Sequence, residues 1–323
     1  MDISEYAAEA SSYDKLSAFQ ISRIFERHGP ITSDDCNRLA ADILCCPVTP
    51  TPVQGATSYT VAAANPNQTP MVVQFRSKKL DMALIELARQ SYGDFVPNCK
   101  PHSTMLGDVY VYLWDLVPGP AFCRVRRQFL ALDVEMEQHL YQTVEDFARF
   151  FASAWKNRPT VEQPPGLLDE YYDILNQVSQ DLPERLQAKL DEVWQGLPLL
   201  FRPGYPMVFQ HDDLLENNIH VDETTGRITG IVDWPDAIVA PFGVSLGGLE
   251  TILGVQTRTS WHFHPSHLSL RKRFWETFYR EIGNISEEDR HSIQVARLFG
   301  LFRTHGFEEK DKSIVYLEAL CLL

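Results

Sequence analysis

The stretch Phe209-Gln210-His211-Asp212-Asp213-Leu214-Leu215-Glu216-Asn217-Asn218-Ile219 carries the densest set of chemically capable side chains in this chain. Asp213 stands two residues after His211, Asn218 five residues after Asp213, and Asp233 fifteen residues after Asn218, closing the apolar run Gly230-Ile231-Val232. A carboxylate, an amide and a second carboxylate are thereby presented at the edges of one small β unit. Phosphoryl transfer uses such a set: one carboxylate orients or deprotonates an attacking hydroxyl, while the amide and the other carboxylate hold magnesium against phosphate oxygens. The donors are hard oxygens, which suit magnesium, and no thiolate or histidine cluster points to zinc.

These residues need short strands around them. The apolar runs 207–209, 218–221 and 228–233, separated by polar turns with Gly226 in one of them, predict such strands. Upstream, the pattern predicts a helix over 14–29 and a second from Thr32-Ser33-Asp34-Asp35 to about residue 44. Strands follow at about 47–54, 59–64 and 71–76, with a turn at residues 65–70, then a helix over 80–92 and strands around 102–105 and 108–113. Pro118-Gly119-Pro120 breaks the chain. Helices dominate afterwards, at 126–157, 167–195 with a split near Pro183, and from about residue 247 onward, notably 268–282, 286–303 and 312–322. The expected architecture is α+β: an N-terminal helical extension (1–45), a small β-rich N-lobe (46–116) and a larger, mainly helical C-lobe (117–323).

Composition narrows the function classes. The 44% hydrophobic content is globular and excludes a mainly disordered chain. Acidic residues outnumber basic ones 43 to 29, a formal charge of −14, which disfavours a duplex nucleic-acid partner. The acidity is compatible with a cationic small-molecule acceptor, but part of it (Asp212, Asp213, Glu216, Asp233) lies in the motif, where magnesium would balance it. The start Met1-Asp2-Ile3-Ser4-Glu5 has no basic or apolar signal region, and the longest near-uncharged run, 237–249, contains Pro241 and three glycines. Neither secretion nor a membrane span is expected. Six cysteines without a CxxC pair read as reduced thiols, and the expected location is cytoplasmic.

Residues 211–218 resemble the His-x-Asp-x-x-x-x-Asn catalytic loop of the protein-kinase-like fold, in the form typical of aminoglycoside phosphotransferases and choline kinases. Ile231-Val232-Asp233-Trp234 is similar to their metal-binding Ile-Asp-Trp segment. Residues 53–61 resemble the phosphate-covering loop, Val72-Val73-Gln74-Phe75-Arg76 the third strand, 80–92 the following helix, and 109–119 the fifth strand, hinge and Pro-Gly break. The segments 242–246 and 296–301 look like phosphotransferase-domain proteins of filamentous fungi, so the similarity spans roughly 45–310. The resemblance implies a two-lobed fold using ATP and Mg2+ to phosphorylate a hydroxyl of a small molecule. It implies that Asp213 is the catalytic base, that His211 supports the loop, and that Asn218 and Asp233 hold the metal. Gly55 and Ser58 would cover the phosphates, backbone groups near Trp114 and Leu116 would meet the adenine, and Glu86 would fix the strand-three cation.

Two departures stand out. Gln74 occupies the place of the family's strand-three lysine and cannot offset phosphate charge. Val72, Gln74 and Arg76 share one strand face, so the guanidinium at position 76 could substitute. The phosphate loop is also glycine-poor, with Gly55 alone before Ser58. These departures admit an alternative: a kinase-like fold without phosphotransfer, serving as a binding or biosynthetic accessory protein. A remote second alternative is a serine hydrolase, because Gly243-Val244-Ser245-Leu246-Gly247 matches a nucleophile elbow with His291 downstream; Pro241 just before it argues against the required strand. Glu250, Trp261 and the acids at 169–173 are acceptor-pocket candidates by position alone, and His262 and His264 suit packing better than metal binding.

Overall fold

The computed structural model describes residues 2–27, 29–65, 70–158, 160–180, 182–307 and 310–322. Two helices, α1 (Ala10–Arg27) and α2 (Ser33–Leu44), precede the first strand. Helix α2 starts on a capping box: Thr32 Oγ1 accepts the Asp35 N–H at 3.2 Å while the Asp35 carboxylate accepts the Thr32 N–H at 3.0 Å. Its buried face, Cys36, Ala40 and Leu44, packs on one side of the N-lobe sheet.

That sheet is formed by β1 (Val48–Pro50), β2 (Ser58–Ala63), β3 (Met71–Arg76), β4 (Cys99–Pro101) and β5 (Tyr110–Asp115), in the antiparallel order β1-β2-β3-β5-β4. Strand alternation divides the labour between its faces. Tyr59, Val61, Ala63, Val73 and Phe75 face the core shared with α2, while Ser58, Thr60, Ala62, Val72 and Gln74 line a cleft on the other side. Helix α3 (Met82–Tyr92) follows β3, capped by Asp81. The strand expected at 102–105 lies instead at Cys99–Pro101, since it is the pairing of Cys99 with Trp114 and Pro101 with Tyr112 that satisfies β5. Of the turn expected at 65–70, residues 66–69 lie outside the described residues.

The Pro118-Gly119-Pro120 break leads into α4 (Phe122–Phe129) and the long α5 (Val134–Lys156). Gly119 takes φ +75°, and a Cβ there would lie 2.1 Å from the Val221 carbonyl oxygen, so the hinge can pack against Val221 only as glycine. Helix α5, with Phe147, Phe150 and Phe151 fully buried, runs through the C-lobe core, around which α6 (Leu167–Ser179), α7 (Glu184–Leu200), α9 (His267–Ile282), α10 (Glu287–His305) and α11 (Lys310–Cys321) are arranged.

Two antiparallel pairs, β6 (Met207–Gln210) with β9 (Ile238–Pro241) and β7 (Ile219–Val221) with β8 (Ile228–Ile231), carry the motif residues. Gly226 turns between β7 and β8 at φ +73°. Strand β9 was not expected, and the helical stretch expected from 247 opens with only a short α8 (Leu249–Leu253) followed by the hairpin β10 (Gly254–Gln256) and β11 (Trp261–Phe263). Both pieces are strands because partners are available: β6 for β9, and each other for the hairpin.

Candidate active site

The loop 211–218 is fastened from inside. The His211 ring is buried, and its two nitrogens have partners of fixed polarity. The Asp213 N–H donates to Nδ1 at 3.0 Å, so Nδ1 carries no proton, and Nε2 donates to the Val232 carbonyl at 2.8 Å. Burial lowers the pKa of this imidazole, which is therefore neutral and has no free lone pair for a substrate proton. Asn218, also buried, donates from Nδ2 to the Asp213 carbonyl at 2.8 Å and to Asp213 Oδ2 at 3.0 Å. Its Oδ1 accepts from Asn217 at 2.9 Å. The Val232 N–H donates to the Asn218 carbonyl at 2.9 Å, tying the loop to the strand end that bears Asp233.

The Asp213 carboxylate is exposed to solvent and bonded to Asn218, which lines the cleft. The protein mass around it strips part of its hydration and raises its pKa; His211 works against this shift and the Asp233 carboxylate adds to it. Asp233 adopts a left-handed backbone, φ 68°, which costs a non-glycine residue about 1 kcal/mol. Its neighbours hold it there: Val232 is bonded on both its polar groups, and the fully buried Trp234 anchors its indole N–H on the Ile231 carbonyl at 2.8 Å.

A cavity of about 390 Å³ separates the sheet from this loop. Gly55, Ser58, Gln74, Trp114 and Leu116 line it from the N-lobe and hinge, Asn218 and Asp233 from below. Gln74 is locked into the sheet: its Oε1 accepts the Trp114 indole N–H at 3.1 Å, and its Nε2 donates to Ser58 Oγ at 3.3 Å and Thr60 Oγ1 at 3.4 Å. The Leu116 N–H is taken by the Pro70 carbonyl at 2.9 Å, which leaves the Leu116 carbonyl and side chain to the cleft. Arg76 lies two residues beyond Gln74, buried at 5% exposure. Its Nη2 donates to Thr57 at 3.1 Å and its Nη1 is 4.0 Å from Asp233 Oδ1, while Nε and Nη1 lack hydrogen-bond partners. Burial pulls its pKa down, with Asp233 and Asp236 acting in the opposite direction.

Several expected residues are not brought to this site. Glu86 does not fix a strand-three cation: it is exposed on α3 and bonded to Gln90 at 3.2 Å, because the helix turns Ile85 and Ala88 inward and position 86 outward. Glu250 is buried in an ion cluster with Arg271 (2.8 Å) and Arg297 (2.7 Å), so it is unavailable to an acceptor. Trp261 packs its ring near His305 and Tyr316, and Asp169, Glu170 and Asp173 are exposed on α6. Ser245 donates to Gln210 Oε1 at 2.9 Å and His291 is exposed on α10, so no Ser-His pair forms and the hydrolase reading fails. Two of the motif acids expected to be balanced by magnesium have arginine partners instead: Asp212 is gripped by both Nη atoms of Arg303, and Glu216 accepts from Arg126 at 2.6 Å. Their partners lie 91 and 90 residues away, beyond any local signal.

A small antiparallel sheet over a helical lobe, with an Asp-Asn-Asp set at the cleft between them, defines a protein-kinase-like architecture. Residues 54–259 match the phosphotransferase enzyme family, and the chain belongs to that family. It is thus a phosphotransferase that uses a hydroxyl group as acceptor. Among the solved structures that match, two illustrate the shared fold. The Plasmodium vivax ethanolamine kinase aligns at 13% identity over 98% of this chain and 96% of that chain, TM-score 0.55. The choline/ethanolamine kinase family protein from Mesorhizobium loti aligns at 13% identity over 90% and 95%, TM-score 0.56. No curated protein matches the sequence. Among the described residues no helix is long and apolar enough to cross a membrane.

Proposed function

We propose that this chain transfers a phosphoryl group from ATP, with Mg2+, to a hydroxyl of a small molecule of the aminoglycoside, choline or secondary-metabolite kind. The observation that carries the reading is the hydrogen-bonded unit of His211, Asp213, Asn218 and Val232, from which Asn218 and the adjoining Asp233 line the cleft. Asp213 has an exposed carboxylate, one oxygen of which accepts from Asn218, and a raised pKa, so it accepts the acceptor hydroxyl's proton more readily than an ordinary carboxylate would. His211 holds the Asp213 backbone in place and takes no proton itself.

The residues fit a magnesium nucleotide. Asn218 Oδ1 and the Asp233 carboxylate are hard oxygen donors, and no group of three or more His, Cys, Asp or Glu suited to a metal occurs among the described residues. Two protein oxygens suit Mg2+, which keeps waters and phosphate oxygens in its remaining positions. When bound, the metal would supply charge neutralisation at the phosphates. The unpartnered nitrogens of Arg76 beside Asp233 supply the positive charge that Gln74 lacks. The Trp114 and Leu116 side chains offer an apolar wall for a base. Six free cysteines fit a reducing, cytoplasmic compartment. A cationic acceptor matches the exposed carboxylates of Asp213 and Asp233.

Thermal unfolding with and without ATP and Mg2+, on the wild type and on Asp233→Ala, tests this reading. A rise in Tm for the wild type that is absent in Asp233→Ala is the expected result. No rise in either protein would sink it in favour of a kinase-like fold that no longer transfers phosphate.

A further inference from the structure

The N-terminal extension lies outside the matched residues 54–259, yet it touches both sides of the cleft. Tyr13 and Ser17, four residues apart, share one face of α1, and Glu9 immediately precedes the helix. Tyr13 Oη donates to Glu216 Oε1 at 3.0 Å, inside the catalytic loop between Asp213 and Asn218. Asp14 pairs with Arg124 at 2.5 Å and Glu9 with Arg127 at 2.7 Å, both on α4 of the C-lobe. One turn further, the buried Ser17 hydroxyl donates to the Pro52 carbonyl at 3.0 Å and accepts the Gln54 N–H at 3.2 Å, at the root of the phosphate-covering loop. The rest of the extension is fastened to both lobes. Ile24 belongs to the N-lobe core, and Ile3 and Ala7 belong to the C-lobe core.

We propose that α1 is an interlobe clasp, in which Tyr13 and Ser17 act as positioning residues that hold the phosphate-covering loop over the catalytic loop. Two lobes joined at a hinge are free to open about it. A rigid helix bonded to each lobe within about one turn removes much of that freedom. The phosphate loop, with one glycine, is braced in the same way from within: Gln54 donates to the Thr51 and Thr60 carbonyls at 3.0 and 2.8 Å and accepts the Thr60 N–H at 3.0 Å. A loop that is stiff needs its height over the cleft set from outside, and Ser17 is the contact that sets it. Asp14 meanwhile occupies Arg124, the one cation among the described residues that line the cavity.

The part of this proposal that concerns turnover rests on the phosphotransfer reading; the mechanical part does not. Hydrogen exchange is measured without nucleotide at residues 52–60 and 211–218 in Tyr13→Phe, Ser17→Ala and the double variant, with Ser22→Ala, whose hydroxyl bonds only Glu26 in the same helix, as control. Each single variant is expected to speed exchange about fivefold at the loop it does not touch as well as the one it does. The KM for nucleotide should rise by a similar factor with kcat changed less. Exchange altered only at the loop each side chain contacts, or at neither, overturns the clasp. Should a buried-site variant fail to fold, Glu9→Gln, at the solvent-facing Arg127 pair, is held to the same two-loop criterion. A wild type that binds no nucleotide would refute phosphotransfer, while the exchange data still decide the clasp.

Discussion

Arg76→Met separates what this side chain does for the fold from what it does for a ligand. The side chain is 6% exposed, and of its three nitrogens only Nη2 makes a hydrogen bond. Desolvating a guanidinium costs several kcal/mol. Against that stands one carboxylate at 4.0 Å, an attraction of roughly 4 kcal/mol at the effective dielectric of a protein edge. Asp233 keeps 41% of its side chain in solvent, so it loses little when its partner is removed. The two terms nearly cancel, and methionine fills the volume without unpaired donors. The unliganded variant should therefore be as stable as the wild type or about 1 kcal/mol more stable, a Tm rise of up to about 2 °C. Nucleotide affinity moves the other way: losing charge-assisted bonds to phosphate costs about 3 kcal/mol, or roughly 100-fold in Kd. Differential scanning fluorimetry with and without ATP and Mg2+, followed by calorimetric titration, reads both quantities. A variant destabilised by more than about 2 kcal/mol that still binds nucleotide normally would refute the reasoning, because Arg76 would then be a structural ion pair.

Asp213→Ala should reduce turnover by about 10²- to 10⁴-fold while leaving the nucleotide-induced Tm shift in place. The wild-type rate should fall as pH drops through the raised Asp213 pKa, and the fall should begin at a higher pH than an ordinary carboxylate would give; a pH–rate profile with its acid limb in the ordinary range would contradict the geometry. Because that pKa is raised on folding, the proton is held more tightly in the native state; the associated stability is present at low pH and lost as pH rises through the folded value. Glu250→Gln leaves Arg271 and Arg297 buried without a counter-charge and should cost about 3–5 kcal/mol in denaturant unfolding, with turnover per folded molecule unchanged. Burial alone would raise the Glu250 pKa, but the two arginines hold it below the usual range, so its contribution is present above that range and is lost as pH falls through the folded value.

The sequence shows some of this structure directly, and the split follows a physical line. Where a pattern is local, it is legible. Asp213 and Asn218 are five residues apart on one loop, and β2 and β3 alternate polar and apolar side chains because each has one face on the core and one on the cleft. Where a residue's meaning depends on a distant partner, it is not. Strand β9 reads as an uncharged run until β6 pairs with it. Glu250 looks like a free acid until the folding of α9 and α10 brings in Arg271 and Arg297, 21 and 47 residues away. Helical phase explains Glu86: Ile85 and Ala88 take the core-facing positions of α3, which leaves position 86 exposed. Tyr13 reaches Glu216 across 203 residues, a contact that no periodicity encodes.

The substitution at position 74 looks like a loss in one dimension and a relocation in three. Trp114 is buried, and its indole N–H needs an acceptor, which Gln74 Oε1 provides. A lysine could not fill that role, since an ammonium group only donates. The same amide donates across the sheet to Ser58 and Thr60, so a neutral bifunctional side chain satisfies three neighbours where a cation would leave one of them orphaned. Positive charge is then needed elsewhere, and the strand offers the next position on the same face, about 6.6 Å along. Arg76 stands there, enclosed by the sheet beside Thr57 and Asp233, with Nε and Nη1 buried without hydrogen-bond partners. A buried cation with unused hydrogen-bonding capacity is costly for a resting protein and favourable only when an anion arrives. On that balance, under the proposed function, the exchange of lysine for glutamine and arginine would keep a cation beside Asp233 for a phosphate rather than abolish it.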